Sequence, residues 1–368
     1  MAASIVTLQG ETAMKPQLEK LLRLMVERRA SDLHITVNSH PMIRVDEGLV
    51  AVEEFPVLSS EETRVLAYSL LMPEQREIFE RERELDMSFG VSGMGRFRVN
   101  IFLQRGAVSA ALRLLPADIR TFEQCGLPPK IVEELCRRKR GLILITGATG
   151  SGKSTTMASM VEWINNNRNC HIVTVEDPIE YVYKNKKAIV DQREVGTDTH
   201  TFANALKHVL REDPNVILIG EMRDLETIEA ALNIAETGHL VLATLHTNDA
   251  VQAINRIIDV FPAHQQQQVR VQLSFVLLAV MTQQLIPKAS GFGRVLGVEV
   301  LIANPAVRAL VREGKAHQIY SVIQTSQKEG MRTMNQALAE LHLREDVSYE
   351  EALARSSDPE EFLRLIHK

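Results

Sequence analysis

Cysteine is scarce in this sequence: only Cys125, Cys136 and Cys170 occur in 368 residues, an odd number without a C-x-x-C pair. That excludes a four-cysteine zinc site and a disulfide framework, and leaves each thiol to serve as a small buried hydrophobe. A basic excess is missing as well. Lys and Arg number 42 against 47 Asp and Glu, a net charge of −5, so no overall field attracts a polyanion and no nucleic-acid partner is expected. Long hydrophobic runs are absent. The longest uncharged apolar stretch, Leu273 to Met281, is well short of the ~20 residues of a transmembrane span. The first residues have neither the basic start nor the apolar run of a signal peptide, and no segment repeats. A cytoplasmic protein is expected.

What is present is ordinary globular composition, 45% apolar and 24% charged, in a length that suits two or three domains. Residues 1–14 read as a flexible tail. From Lys15, Leu18, Leu21, Leu22 and Met25 recur at helical spacing. The segment SDLHITV alternates as a strand, and Ser59, Ser60, Glu61 and Glu62 signal a helix start. GRFRVNIFLQRG and AVSAALRLLP alternate around Gly106, as a hairpin does. Pro116 and the run Gly126-Leu127-Pro128-Pro129 suit neither helix nor strand. They mark a linker over 118–128, between an N-terminal domain of 15–117 and a C-terminal domain of 129–368. In the latter the apolar strands GLILITG, CHIVTVED, NVILIGE and HLVLATLHT alternate with helical segments. This predicts an α/β fold, a parallel sheet covered by helices on both faces, with several short amphipathic helices after Asn304.

The strongest chemical signal is Gly147-Ala148-Thr149-Gly150-Ser151-Gly152-Lys153-Ser154-Thr155, which fits G-x-x-x-x-G-K-[ST] between a strand and a helix. Glycines let backbone N–H groups turn inward around phosphates at a helix N-terminus. Lys153 supplies charge to the β- and γ-phosphates, and the Ser154 hydroxyl is a Mg²⁺ ligand. NVILIGE ends in Glu221, placed as a base that orients water and reaches the metal directly or through water. The alternative is a solvated strand-end charge. Gly220 occupies the place where many nucleotidases carry a metal-binding Asp. VEDPIEY presents Glu176 and Asp177 at another strand end, as site or as structural turn. His239 and His246 flank LVLATL. His239 reads equally as a structural residue, and His246 as a donor to a γ-phosphate.

Together GATGSGKST, VEDPIEY, LREDPNVILIGEMRD and ETGHLVLATLHTN resemble the secretion ATPase superfamily, and within it the type IV pilus retraction ATPases, the PilT family. The resemblance runs from about residue 15 to the C-terminus. It implies a RecA-like ATPase domain behind a PAS-like α+β domain. It also implies ATP and Mg²⁺ as cofactors and a homohexameric ring against the inner-membrane pilus platform. By position it makes Glu221 the catalytic glutamate of an atypical Walker B strand, VEDPIEY with Glu176 the Asp box, and His239 and His246 the His box. It adds Arg98, Arg113 and Arg211 as nucleotide-facing arginines. Assembly and type II secretion ATPases usually carry a longer N-terminal region and a tetracysteine element, which favours retraction; an accessory or regulatory nucleotide-binding ring is the other alternative. Ala306-Val307-Arg308-Ala309 is similar to the retraction signature A-I-R-N, with Val for Ile and Ala for Asn.

Overall fold

A computed structural model describes residues 15–45, 48–115 and 118–367; the expected tail at 1–14 and Pro116 lie outside it. The chain divides into two compact units. One runs up to Asp118 and includes Pro178–Val182; the other comprises Ile119–Asp177 and the chain from Tyr183 onward.

The first unit is an antiparallel sheet with helices, built from β1 (Asp32–Ile35), β2 (Met42–Val45), β3 (Gly48–Ala51), β4 (Glu84–Val91), β5 (Gly95–Gln104) and β6 (Ala107–Leu114), in the order β3-β2-β1-β6-β5-β4. The expected hairpin is β5–β6. Arg105 and Gly106 both have positive φ, 50° and 79°, the two-residue turn whose twist matches the flanking strands. The helix Pro16–Glu27 buries Leu18, Leu21, Leu22 and Met25 completely. Ser59 and Glu62 form the capping box that starts the helix Ser60–Tyr68.

The second unit holds a seven-stranded sheet of β7 (Gly141–Thr146), β8 (His171–Glu176), β9 (Ile189–Glu194), β10 (Val216–Ile219), β11 (Leu240–Leu245), β12 (Leu277–Pro287) and β13 (Arg294–Ile302), in the order β13-β12-β7-β11-β10-β8-β9. Every residue of β7, β10 and β11 is buried, as a sheet covered on both faces requires. Two features go beyond the sequence reading. The apolar run Leu273–Met281 is not one element: a helix ends at Val276 and β12 begins at Leu277. Because periodicity cannot separate two buried elements joined without a turn residue, the antiparallel edge strand β13 was not foreseen. The segment 118–128 is also not a bare linker. Thr121 and Gln124 form a capping box for a one-turn helix, Phe122–Cys125, which Gly126 ends at φ 76°. Pro129 then occupies the first turn of the next helix, where its missing N–H costs nothing.

One buried carboxylate joins the sheet to the C-terminal helices. Glu299 on β13 accepts the N–H of Ala250 at 2.9 Å and of Met334 at 3.2 Å, each at a helix start. Burial pushes its carboxyl up from 4.5 to about 7. The folded state therefore holds the proton more tightly than the unfolded chain. The stabilisation is full below about pH 4.5 and is lost as pH rises through 7. Urea titrations of wild type and Glu299→Gln at pH 5 and pH 8 check this. The difference in unfolding free energy should shift against wild type by ~3 kcal/mol between the two; a constant difference would refute the assignment.

Candidate functional site

All strands from β12 through β9 run parallel in the sheet, so their carboxyl ends share one edge, where open α/β sheets bind ligands. The loop Gly147–Gly152 leaves β7 there and enters the helix Lys153–Asn167. Its glycines are required by geometry. At Gly147 (φ 139°) a Cβ would lie 2.4 Å from the Gln283 carbonyl oxygen and 2.6 Å from Ser151 Oγ. Gly150 and Gly152 have φ of 78° and 94°. Thr146 and Thr282 bond beneath the loop at 2.8 Å, and Gln283 Nε2 donates to Thr156 Oγ1 at 2.7 Å.

Lys153 is buried, and its Nζ donates to the carbonyls of Gly147 (2.8 Å) and Ala148 (3.0 Å) across its own loop. Ala148, Thr149, Gly150 and Ser154 are exposed along the rim, with Thr155 half-buried. Two hydroxyls here, Ser151 Oγ and Thr247 Oγ1, are buried without a partner. Such orphaned groups are costly unless a ligand satisfies them. A glycine-bearing loop at a helix N-terminus, a lysine poised over that loop, an exposed serine hydroxyl and two orphaned hydroxyls fit a polyphosphate with a hard cation.

Glu221 lies just past β10, two strands from the loop, hence roughly 10 Å across the sheet. Its Oε1 is paired with the Arg223 guanidinium and lies 3.1 Å from His246 Nε2. Burial, then the nearby Lys153 ammonium, hold His246 below its usual value. The ring is therefore neutral near pH 7 and stands beside the Glu221 carboxylate. His246 thus lies at the same sheet edge as the phosphate loop, next to Glu221. The Thr244 hydroxyl donates to the Gly220 carbonyl at 2.6 Å, tying the ends of β10 and β11 together. Gly220 itself has a physical reason. A Cβ there would come within 3.2 Å of the Val175 oxygen and 3.3 Å of Glu176 Cα, so any side chain would push the end of β8 away by a few tenths of an ångström.

Glu176 ends β8, one strand further along, where Thr174 Oγ1 (2.6 Å) and Gln192 Nε2 (3.3 Å) donate to its Oε1. His239 and Arg211 are not brought to this edge. His239 precedes β11 and makes local contacts to Ile234 O and Thr237. Arg211 precedes β10, exposed at the amino end of the sheet. Arg98 and Arg113 belong to the first unit, directly opposite each other on β5 and β6. Both are exposed, and Arg113 Nε donates to Asp32 at 2.8 Å. Burial works to raise Asp32, yet hydrogen bonds from Ser31 and Arg113 hold it below its ordinary value. Sequence reasoning missed Arg223, Thr247 and the Gln283–Thr156 pair. Arg223 had a signal, a cation two residues from Glu221; the other two had none.

A family model described as type II/IV secretion system protein matches residues 7–354. The type IV pilus retraction ATPase PilT of Pseudomonas aeruginosa is 46% identical over 94% of this chain and 99% of its own length. The chain belongs to the PilT family of type II/IV secretion ATPases. Within that family, the type IV pilus ATPase PilU of the same organism is 44% identical, over 96% of this chain and 91% of its own. A crystal structure of the pilus retraction motor PilT with bound ADP superimposes with a TM-score of 0.89. It shares 53% identity, covering 94% of this chain and 98% of that one. The α/β architecture is thus that of the family. No helix among the described residues is long and apolar enough to cross a membrane.

Proposed function

We propose that this chain is the ATP-hydrolysing motor of type IV pilus retraction. It works as a homohexameric ring in the cytoplasm, peripheral to the inner membrane, against the platform protein at the pilus base. The observation that carries the reading is the gathering of the phosphate loop, Glu221 and His246 on one sheet edge, in a chain similar to a pilus retraction ATPase along nearly its whole length.

ATP with Mg²⁺ supplies the γ-phosphoryl group and the charge that activates it. Lys153 exchanges its loop carbonyls for the β- and γ-phosphate oxygens, and the amides of 148–155 hold the polyphosphate. The Ser154 hydroxyl would hold the metal, which would supply positive charge to the phosphates, and Glu221 would reach it directly or through water. Glu221, held by His246 and Arg223, orients the attacking water and takes its proton. Glu176 orders the adjacent strand end. Arg98 and Arg113 bring the N-terminal domain, 15–117, onto the nucleotide and release it on hydrolysis, the segment 118–128 acting as the joint to 129–368. Arg211 is the further arginine that the family resemblance adds in the ATPase domain.

The match to PilU favours a second reading, an accessory ring beside the principal motor. Deleting the gene and restoring either wild type or Lys153→Ala decides between them, with labelled pili and twitching zones as readouts. Loss of retraction rescued by wild type alone is expected. Retraction that persists at lower force without the protein supports the accessory ring, and retraction rescued equally by Lys153→Ala refutes the motor.

A further inference from the structure

Immediately before β7 the chain carries Arg137-Arg138-Lys139-Arg140, four consecutive cations in a protein of net charge −5. Arg137 is paired with Glu133 at 3.2 Å and lies over the Trp163 ring. Arg138, Lys139 and Arg140 are exposed, with no carboxylate in ion-pair range among the described residues. All three border a cavity of about 510 Å³ at the amino end of β7, the opposite end of that strand from the phosphate loop. A fourth cation, Arg308, closes the cavity from the helix Pro305–Arg312.

Arg308 is fixed by its own chain. Its guanidinium donates to the carbonyls of Ser274 (2.6 Å), Phe275 (2.8 Å) and Ala303 (2.9 Å), two of them at the end of the helix Ala263–Val276. Burial and then repulsion from Arg138 push its pKa down, so these cations face one another without an intervening anion. The only carboxylate on the cavity wall is Glu236, which already accepts from Gln272 at 2.6 Å. The rest of the wall is apolar. Phe275, 66% exposed, stands beside Leu278 and Val276.

We propose that this cavity is a docking site for an acidic segment of a partner protein. Its carboxylates would meet Arg138, Lys139 and Arg140, and one apolar side chain would pack on Phe275. Charge complementarity sets the sign of the occupant, and the exposed Phe275 ring sets its mixed character. An inorganic anion would leave Phe275 bare. The site uses none of the nucleotide chemistry and stands independently of the motor reading.

The test uses the full chain and fluorescence anisotropy. Its probe is a short fluorescein-labelled peptide of Glu and Asp around a central Leu-Phe pair; the same peptide with Gln and Asn is the control. Saturable binding is expected for the acidic peptide, weakened about tenfold or more by Lys139→Gln/Arg140→Gln, further by Lys139→Glu/Arg140→Glu, and about tenfold by Phe275→Ser. Affinity should also fall as salt shortens the Debye length from ~30 to ~8 Å. Equal binding of the neutral peptide, or indifference to charge reversal, overturns the proposal. So does tighter binding of phosphatidylglycerol vesicles or inorganic phosphate that displaces the peptide, which would reassign the cavity to lipid or phosphate. Loss of the native oligomer in the neutral double variant would place the face between copies of this chain and also overturn it. ATP turnover in the same preparations should be unchanged, and a preparation that binds peptide without hydrolysing ATP refutes the motor, not the docking site.

Discussion

Lys153→Ala will lower steady-state ATP turnover at least about a hundredfold, the scale on which one preorganised charge contact acts in a transition state. The side chain is buried, and its ammonium lies over the loop it would serve. Alanine leaves the shape of the loop to Gly147, Gly150 and Gly152 but puts no charge where the β- and γ-phosphates gather negative charge. The carbonyls of Gly147 and Ala148 also lose a donor, a cost of about 1 kcal/mol that an otherwise buried sheet tolerates. Phosphate release and thermal melting on one preparation separate the effects. Near-normal turnover with an unchanged melt would remove Lys153 from the phosphate site.

Glu221→Gln should separate binding from cleavage. The amide keeps the shape of the side chain, but it cannot take a proton from water and no longer pairs ionically with Arg223. Nucleotide affinity should therefore stay within a few-fold, while single-turnover hydrolysis falls by about 10²–10⁴. Titration with a fluorescent nucleotide and a rapid-quench time course measure the two quantities. Turnover within a few-fold of wild type would move the base elsewhere, with Glu176 the next carboxylate along the sheet edge.

Much of this site was legible because its residues are local in sequence. Gly147–Thr155 is a continuous stretch whose residue types are dictated by positive φ and close approach, and the strands that hold Glu221 and His246 are unbroken apolar runs. What escaped was contact between distant segments. Gln283 reaches Thr156 from β12, a strand disguised by the apolar run that joins it to the preceding helix. The protonation of His246 depends on burial and on Lys153, neither of which a single motif reveals. Arg211 and His239 sit in motifs rich in site residues, yet the strands they precede carry them to the opposite edge. A motif gives proximity along the chain, and a fully extended strand converts that proximity into separation.

The position of β7 within the sheet governs the order in which the protein can acquire its activity during synthesis. β7 is flanked by β11 and β12, so the strand that bears the phosphate loop has no partner until the ribosome has passed Leu245 and lacks its second until β12 is made. At ~5–20 residues per second the interval from Thr146 is on the order of ten seconds. For that time its apolar residues must be sheltered by other means. ATP cannot assist the early stages of folding, because the loop that would bind it has no rigid support, and translation products ending before β12 should neither hold nucleotide nor stay soluble.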